Sequence, residues 1–241
     1  MINVYSKIDR CSICFLHKPL CICEQAKSIQ VNTKVKFHFV VHANEWKTVS
    51  NTVRILEMLL INKEIYTFAD GNQSIHTSWE KLPKIQGSKK NVAILFPLAS
   101  VYLNVSANVS PDTDAPTNAA ADTITDLIIP DGNWTNAKRI AKKIHLATGA
   151  PFIAIKSDRK SSYRLREQPK ENFLSTYEAT ILAIKYFESD STVQMQIEEL
   201  FSFFDKFVER SLWVNGRIAE EDLKYPLDKS SKQFYPRKFV P

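Results

Sequence analysis

Two rhythms of apolar and polar positions run through this chain. Residues 34–42 alternate and close as Phe-His-Phe-Val-Val-His, residues 91–96 form a short apolar run stopped by Pro97, and residues 127–129 form another that leads into Asp131-Gly132. Each predicts a strand, and the last two predict strands buried in a sheet. Residues 151–155 add a fourth. Between the strands the spacing turns helical. Val53, Leu56, Met58, Leu59 and Leu60 follow a Ser-Asn-Thr opening within 50–61, and Trp134, Ala137, Ile140, Ala141 and Ile144 share one face of a helix over 134–147. Residues 173–187 and 193–213 predict two long helices, and the Lys- and Pro-containing tail after Asn215 predicts irregular structure. Strands alternating with helices predict an α/β fold with a mainly parallel sheet.

Residues 100–126 break the pattern. Rich in Asn, Ser, Asp, Pro, Thr and Ala, they lack the apolar surface to order themselves and predict a mobile loop between two core strands. The acidic part of this insertion, 104–126, either trails in solvent or covers a crevice as a lid. It also masks the charge of the rest. Lys and Arg number 32 against 26 Asp and Glu, a net +6, but Asp112, Asp114, Asp122 and Asp126 fall in 104–126, where there is no Lys or Arg. The remainder is therefore more basic than the total says, which suits a polyanion such as nucleic acid as well as plain solubility.

At 241 residues there is room for one well-cored domain and a small appendage. No run approaches the roughly 20 apolar residues of a bilayer span, and Asp9-Arg10 without an apolar stretch beside them predicts no signal peptide. The expectation is a cytoplasmic protein without a membrane contact, in which Asn104-Val-Ser and Asn108-Val-Ser carry no glycan. The glycines, at 71, 87, 132, 149 and 216, are too scattered for a dinucleotide fingerprint or a P-loop.

All four cysteines fall within Cys11-Ser-Ile-Cys14 and Cys21-Ile-Cys23. In a reducing compartment such a cluster predicts a metal site before it predicts disulfides. Cys11 and Cys14 have the usual knuckle spacing for one tetrahedral zinc, and Cys21 and Cys23 are one residue tighter. His17, between the pairs, is a substitute ligand. With four protein ligands the zinc is structural and not catalytic. The expected organisation is a zinc-knuckle segment over 1–30, a main α/β domain over 31–215 and an irregular tail over 216–241.

Three segments are placed to converge at one edge of the sheet: Pro97 with Leu98, Asp131 to Trp134, and the approach to Ser175-Thr-Tyr-Glu178. A carboxylate at the carboxyl end of a strand is where open α/β sheets bind ligands, and Asp131 there is either a general base or an acceptor for a ligand amine. It is also placed to be the N-cap of the helix that follows. Trp134 has a plain core role as its alternative, and Ser175 with Glu178 spells a capping box. Arg164 and Arg166, two apart on an extended loop, face one side and suit two phosphates or a phosphate and a carboxylate, unless they are ordinary solvated arginines.

Taken in order, the four-cysteine knuckle, Asn44-Glu-Trp-Lys-Thr-Val-Ser-Asn51-Thr52, Asp131-Gly-Asn-Trp134, Tyr163-Arg-Leu-Arg166-Glu167 and Ser175-Thr-Tyr-Glu178 resemble the DTW-domain proteins, from about Cys11 to Trp213. That resemblance implies a SPOUT-like fold with a knotted crevice for S-adenosyl-L-methionine. It also implies transfer of the 3-amino-3-carboxypropyl group to the imino nitrogen of a tRNA uridine, with methylthioadenosine released. Asp131 is then the candidate base or orienting group. Ser50, Asn51, Thr52, Pro97, Leu98, Trp134, Ser175, Thr176 and Glu178 are expected around the donor, and Lys138, Arg139, Arg164 and Arg166 on the tRNA backbone. One departure is visible: Asn133 stands where the family pattern has Thr, and Asn still caps a helix. A methyltransferase on the same fold and a zinc-containing RNA-binding protein without catalysis are the competing readings. Oligomeric state is not legible.

Overall fold

The computed structural model describes residues 9–68, 82–83, 91–98, 101–105, 123–166, 173–228 and 231. Glu167, residues 106–122 of the acidic insertion and most of the predicted tail beyond 228 lie outside them. Along the described chain run α1 (Cys23–Ser28), β1 (Lys36–His42), α2 (Ala43–Trp46), α3 (Val53–Leu59), β2 (Lys63–Phe68), β3 (Val92–Leu95), β4 (Val101–Asn104), β5 (Asp126–Asp131), α4 (Trp134–Thr148), β6 (Phe152–Lys156), α5 (Thr176–Phe187) and α6 (Ser191–Val214).

The six described strands form one sheet in the order β2-β1-β5-β3-β6-β4, and every pairing is parallel. The α/β expectation holds. Side chains alternate across the sheet, so Phe37, Phe39 and Val41 of β1 and Leu127 and Ile129 of β5 enter one core, with α3, α5 and α6. Val40, Ile94 and Ile128 point the other way and meet Ala137, Ile140, Ala141 and Ile144 of α4. Central strands covered on both faces explain why 127–129 reads as an unbroken apolar run.

The knuckle segment shares the larger core. Cys14, Leu16, Leu20, Ile22 and Ala26 are buried in it beside Phe204 and Phe207 of α6. Arg210 of α6, itself buried, fixes the segment by donating through Nη1 to the carbonyl of Leu20 at 2.8 Å.

The helix ends follow local chemistry. Asn133 caps α4 by accepting from the Asn136 amide at 2.9 Å, and Gly149 closes that helix at φ +72°, a conformation costly for other residues. Ser175 and Glu178 complete the capping box of α5. Two strands were not anticipated. β2 alternates weakly and is half-exposed at the sheet edge, and β4 occupies the start of the stretch read as a loop from residue 100. β4 is a correction: Val101 to Asn104 pair with Ile153 to Lys156, so this part of the predicted loop is a strand.

Candidate active site and metal centre

Parallel strands bring all their carboxyl ends to one edge, and a cavity of about 280 Å³ opens there. The ends of β3 (Leu95, Phe96, Pro97), β5 (Ile129 to Asp131) and β6 (Ala154, Ile155) line it, with the loop before α3, the start of α4 and the approach to α5. Of the expected donor residues, Ser50, Asn51, Thr52, Pro97, Asp131, Trp134, Ser175 and Thr176 are in its wall. Leu98 is 39 % exposed and Glu178 is buried behind Ser175, and neither is among the lining residues.

Asp131 is the one carboxylate contributed by a strand end. It does not cap α4, because Asn133 does. Instead each of its oxygens accepts one bond, Oδ2 from Asn51 Nδ2 at 2.7 Å and Oδ1 from Thr176 Oγ1 at 2.6 Å. Burial pushes its pKa up to about 6, while the Thr176 and Asn51 bonds restrain the rise; Glu45 repels its charge and Arg166 attracts it. A carboxylate poised near neutrality, held by two neutral donors, suits proton transfer. Gly132 next to it has no spare room: a Cβ would lie 3.1 Å from that of Asn136 and 3.3 Å from the amide of Ala137.

Trp134 is half-buried and belongs to the cavity, which extends its expected core role. Its indole stacks on Phe96 with ring centroids 5.2 Å apart and on Phe173 at 4.4 Å, giving the wall a flat aromatic section.

The two arginines of the Tyr-Arg-Leu-Arg motif separate. Arg164 is exposed, whereas Arg166 is in the cavity wall, so the two do not face one side as their spacing on an extended loop suggested. The reason is that 161–166 is a turn-rich segment pinned from both sides and not an extended loop. Arg166 Nη2 donates to Glu45 Oε2 at 2.6 Å, Thr48 Oγ1 at 3.2 Å and Ser50 Oγ at 2.7 Å, and Nε to Ser50 Oγ at 3.1 Å. Tyr163 donates its hydroxyl to the Ser50 carbonyl at 2.6 Å. Behind them, Glu178 accepts from Ser161 Oγ, the Ser162 amide, and the amide and hydroxyl of Ser175 at 2.7–2.8 Å. Glu178 therefore acts as a hub joining 161–162 to the start of α5.

Lys138 and Arg139 are on the exposed face of α4, and Arg139 lies over the Phe68 ring at 5.9 Å. Sequence reasoning did not single out Glu45, Phe96 and Phe173 for the cavity. Glu45 was visible only inside the Asn44-Glu-Trp string, and nothing local marks Phe173 as a wall residue.

At the amino end, Cys11, Cys14, Cys21 and Cys23 bring their sulfurs within 4.8 Å of one another, with Cys11 to Cys23 at 3.7 Å and Cys14 to Cys21 at 3.8 Å. Four sulfurs at about 2.3 Å from a tetrahedral zinc would be about 3.8 Å apart, so the donor set fits that ion. Burial, with the charges of Cys21 and Cys11, pushes the Cys14 thiol up to about 11, and Cys23 is raised as well, whereas Cys11, against its own burial, is drawn down to about 7 by hydrogen bonds from the Cys14 and Ile13 backbone and from Cys21 and Cys23. Such a set ionises fully only around a cation. His17 is buried and outside the cluster. Phe15, which follows the first pair, adopts φ +61° and stacks on the Arg54 guanidinium at 3.7 Å, linking the knuckle to α3.

Comparison with known proteins adds a family to this geometry. The chain is 25 % identical over 187 residues to a Macaca fascicularis protein named tRNA-uridine aminocarboxypropyltransferase 2; the match covers 76 % of this chain and 58 % of that protein. No solved structure matches. The family model described as DTW domain matches residues 8–212, which takes in the knuckle, the sheet and the whole cavity, and the chain belongs to the DTW domain family.

Proposed function

We propose that this protein transfers the 3-amino-3-carboxypropyl group of S-adenosyl-L-methionine to the imino nitrogen of a uridine in tRNA. The observation that carries the reading is Asp131, a buried carboxylate held by Asn51 and Thr176, with a pKa raised to about 6, in the wall of a cavity lined by aromatic and polar side chains, in a chain whose family match spans that cavity. In this reading a bond forms between the uridine nitrogen and the terminal carbon of the donor arm as the carbon–sulfur bond breaks. The electron pair stays on sulfur, giving neutral methylthioadenosine, and Asp131 takes the imino proton.

The other wall residues position the donor, which is the larger part of such a reaction. Trp134, stacked with Phe96 and Phe173, gives the donor an aromatic stretch of wall, and Asn51 and Thr176 hold Asp131 while Ser50, Thr52, Pro97 and Ser175 shape the rest. Lys138, Arg139 and Arg164 are exposed cations for the tRNA backbone. The four-cysteine site holds zinc in a structural role. The SPOUT-like knotted arrangement is part of the same proposal; its support is that β5 and β6 each insert between strands that precede them, β5 between β1 and β3 and β6 between β3 and β4.

The test uses donor labelled separately in the carboxyl carbon and in the methyl group. Carboxyl label entering tRNA while methyl label stays in the small-molecule fraction supports arm transfer; methyl label entering tRNA overturns it.

A further inference from the structure

Arg166 is held from one side. Its bonds to Glu45, Thr48 and Ser50 use Nε and Nη2, which fixes the plane of the guanidinium. Nη1, with two further N–H groups, makes no hydrogen bond to the described residues, although Arg166 lines the cavity. An arginine tethered this way keeps the donors of one fixed nitrogen to offer, enough for a charge-assisted hydrogen bond to one oxygen of a carboxylate. Glu45, at 9 % exposure, is too buried to be an ordinary surface partner and serves to hold the cation in place.

Charge gives the second argument. Among the described residues the charged side chains in the wall are Glu45, Arg166 and Asp131, which sum to −1 when all are ionised. A sulfonium that carries an α-amino acid arm is its complement at +1, with one cationic sulfur, one ammonium and one carboxylate. Two wall carboxylates repel that anion, and among the described residues Arg166 is the cation in the wall that can receive it.

We infer that Arg166 anchors the α-carboxylate of the donor's aminocarboxypropyl arm and thereby decides which carbon of the donor meets the nucleotide. This rests on the donor reading above. Holding the arm by its far end fixes its terminal carbon for attack and gives the methyl group no comparable hold. Methylthioadenosine lacks the carboxylate, which passes with the arm to the uridine, so the spent donor has no hold on Arg166.

Calorimetry with three probes separates this anchor from the reaction itself: S-adenosyl-L-methionine, its decarboxylated form and methylthioadenosine. The intact donor is expected to bind the wild-type protein about ten- to a hundredfold more tightly than the decarboxylated form. Arg166→Gln is expected to remove that difference by weakening the intact donor alone, with Arg166→Lys keeping part of it. Equal wild-type binding of intact and decarboxylated donor overturns the anchor while leaving aminocarboxypropyl transfer standing. Equal weakening of all three probes by Arg166→Gln reduces Arg166 to a brace for residues 45–50 and also overturns it. If no probe binds the wild-type protein, the donor reading fails and the anchor with it.

Discussion

Asn51 donates from Nδ2 to Asp131 Oδ2 at 2.7 Å across 80 positions of chain. This bond closes a ring. From Asp131 the path runs through Thr176 to the start of α5, through Ser175 and Glu178 to Ser161 and Ser162, through Tyr163 and Arg166 to Ser50, and back to Asn51. Four separated motifs thus meet around one cavity because each satisfies a polar group of the next, and a buried polar ring is costly to break at any member.

Asp131 makes the ring pH-sensitive. Its native pKa, about 6, lies above the ordinary 3.8, so the folded state prefers the protonated form. That preference contributes fully at low pH and is lost as pH rises through about 6, a cost of about 3 kcal/mol at neutral pH. Asp131→Asn should therefore be no less stable than wild type at pH 8 and gain less at pH 4.5, as read by urea unfolding. Its transfer activity should fall about a hundredfold or more, and the wild-type rise of kcat/KM through about pH 6 should vanish.

Glu178→Gln replaces an acceptor by an amide whose NH2 meets the Ser161, Ser162 and Ser175 donors. At 1 % exposure there is no water to relieve the mismatch, so a loss of about 2–3 kcal/mol is expected in the unfolding midpoint. Donor affinity should weaken with it, since Tyr163 and Arg166 follow directly in the displaced segment. A neutral variant would remove Glu178 from the ring.

The metal site predicts one bound zinc per chain. Cys14→Ser should lower the metal content and the melting temperature together, because Cys14 is fully buried in the core shared with α6. Metal analysis of protein prepared without chelator, beside a thermal melt, checks both; a metal-free sample with the wild-type melt would exclude a structural zinc.

For RNA, Lys138→Ala combined with Arg139→Ala and Arg164→Ala should weaken tRNA binding across sequences and flatten the dependence of log affinity on log salt by about two to three. These cations are exposed and outside the cavity, so donor affinity should not move. An unchanged salt slope places the RNA elsewhere.

What the sequence disclosed was local. Asn133 capping α4, Ser175 with Glu178 in a capping box and the four clustered cysteines are all set by neighbours within a few positions, and so were readable. The strand ending at Asp131 was readable because burial on both faces makes a continuous apolar run. β2 was not, because an edge strand that is half in solvent shows little contrast, and β4 was obscured by the polar residues that follow it. The place of Arg166 in the cavity wall was hidden for a different reason. Its partners Glu45, Thr48 and Ser50 are about 120 positions away, and a spacing of two between arginines says nothing about that closure.

The direct test of the central claim is to incubate the protein with S-adenosyl-L-methionine and tRNA lacking modifications, then identify the adenosine by-product and the altered nucleoside by mass spectrometry. The account predicts methylthioadenosine together with aminocarboxypropyluridine, both lost in Asp131→Asn. S-adenosylhomocysteine with a methylated base would contradict it.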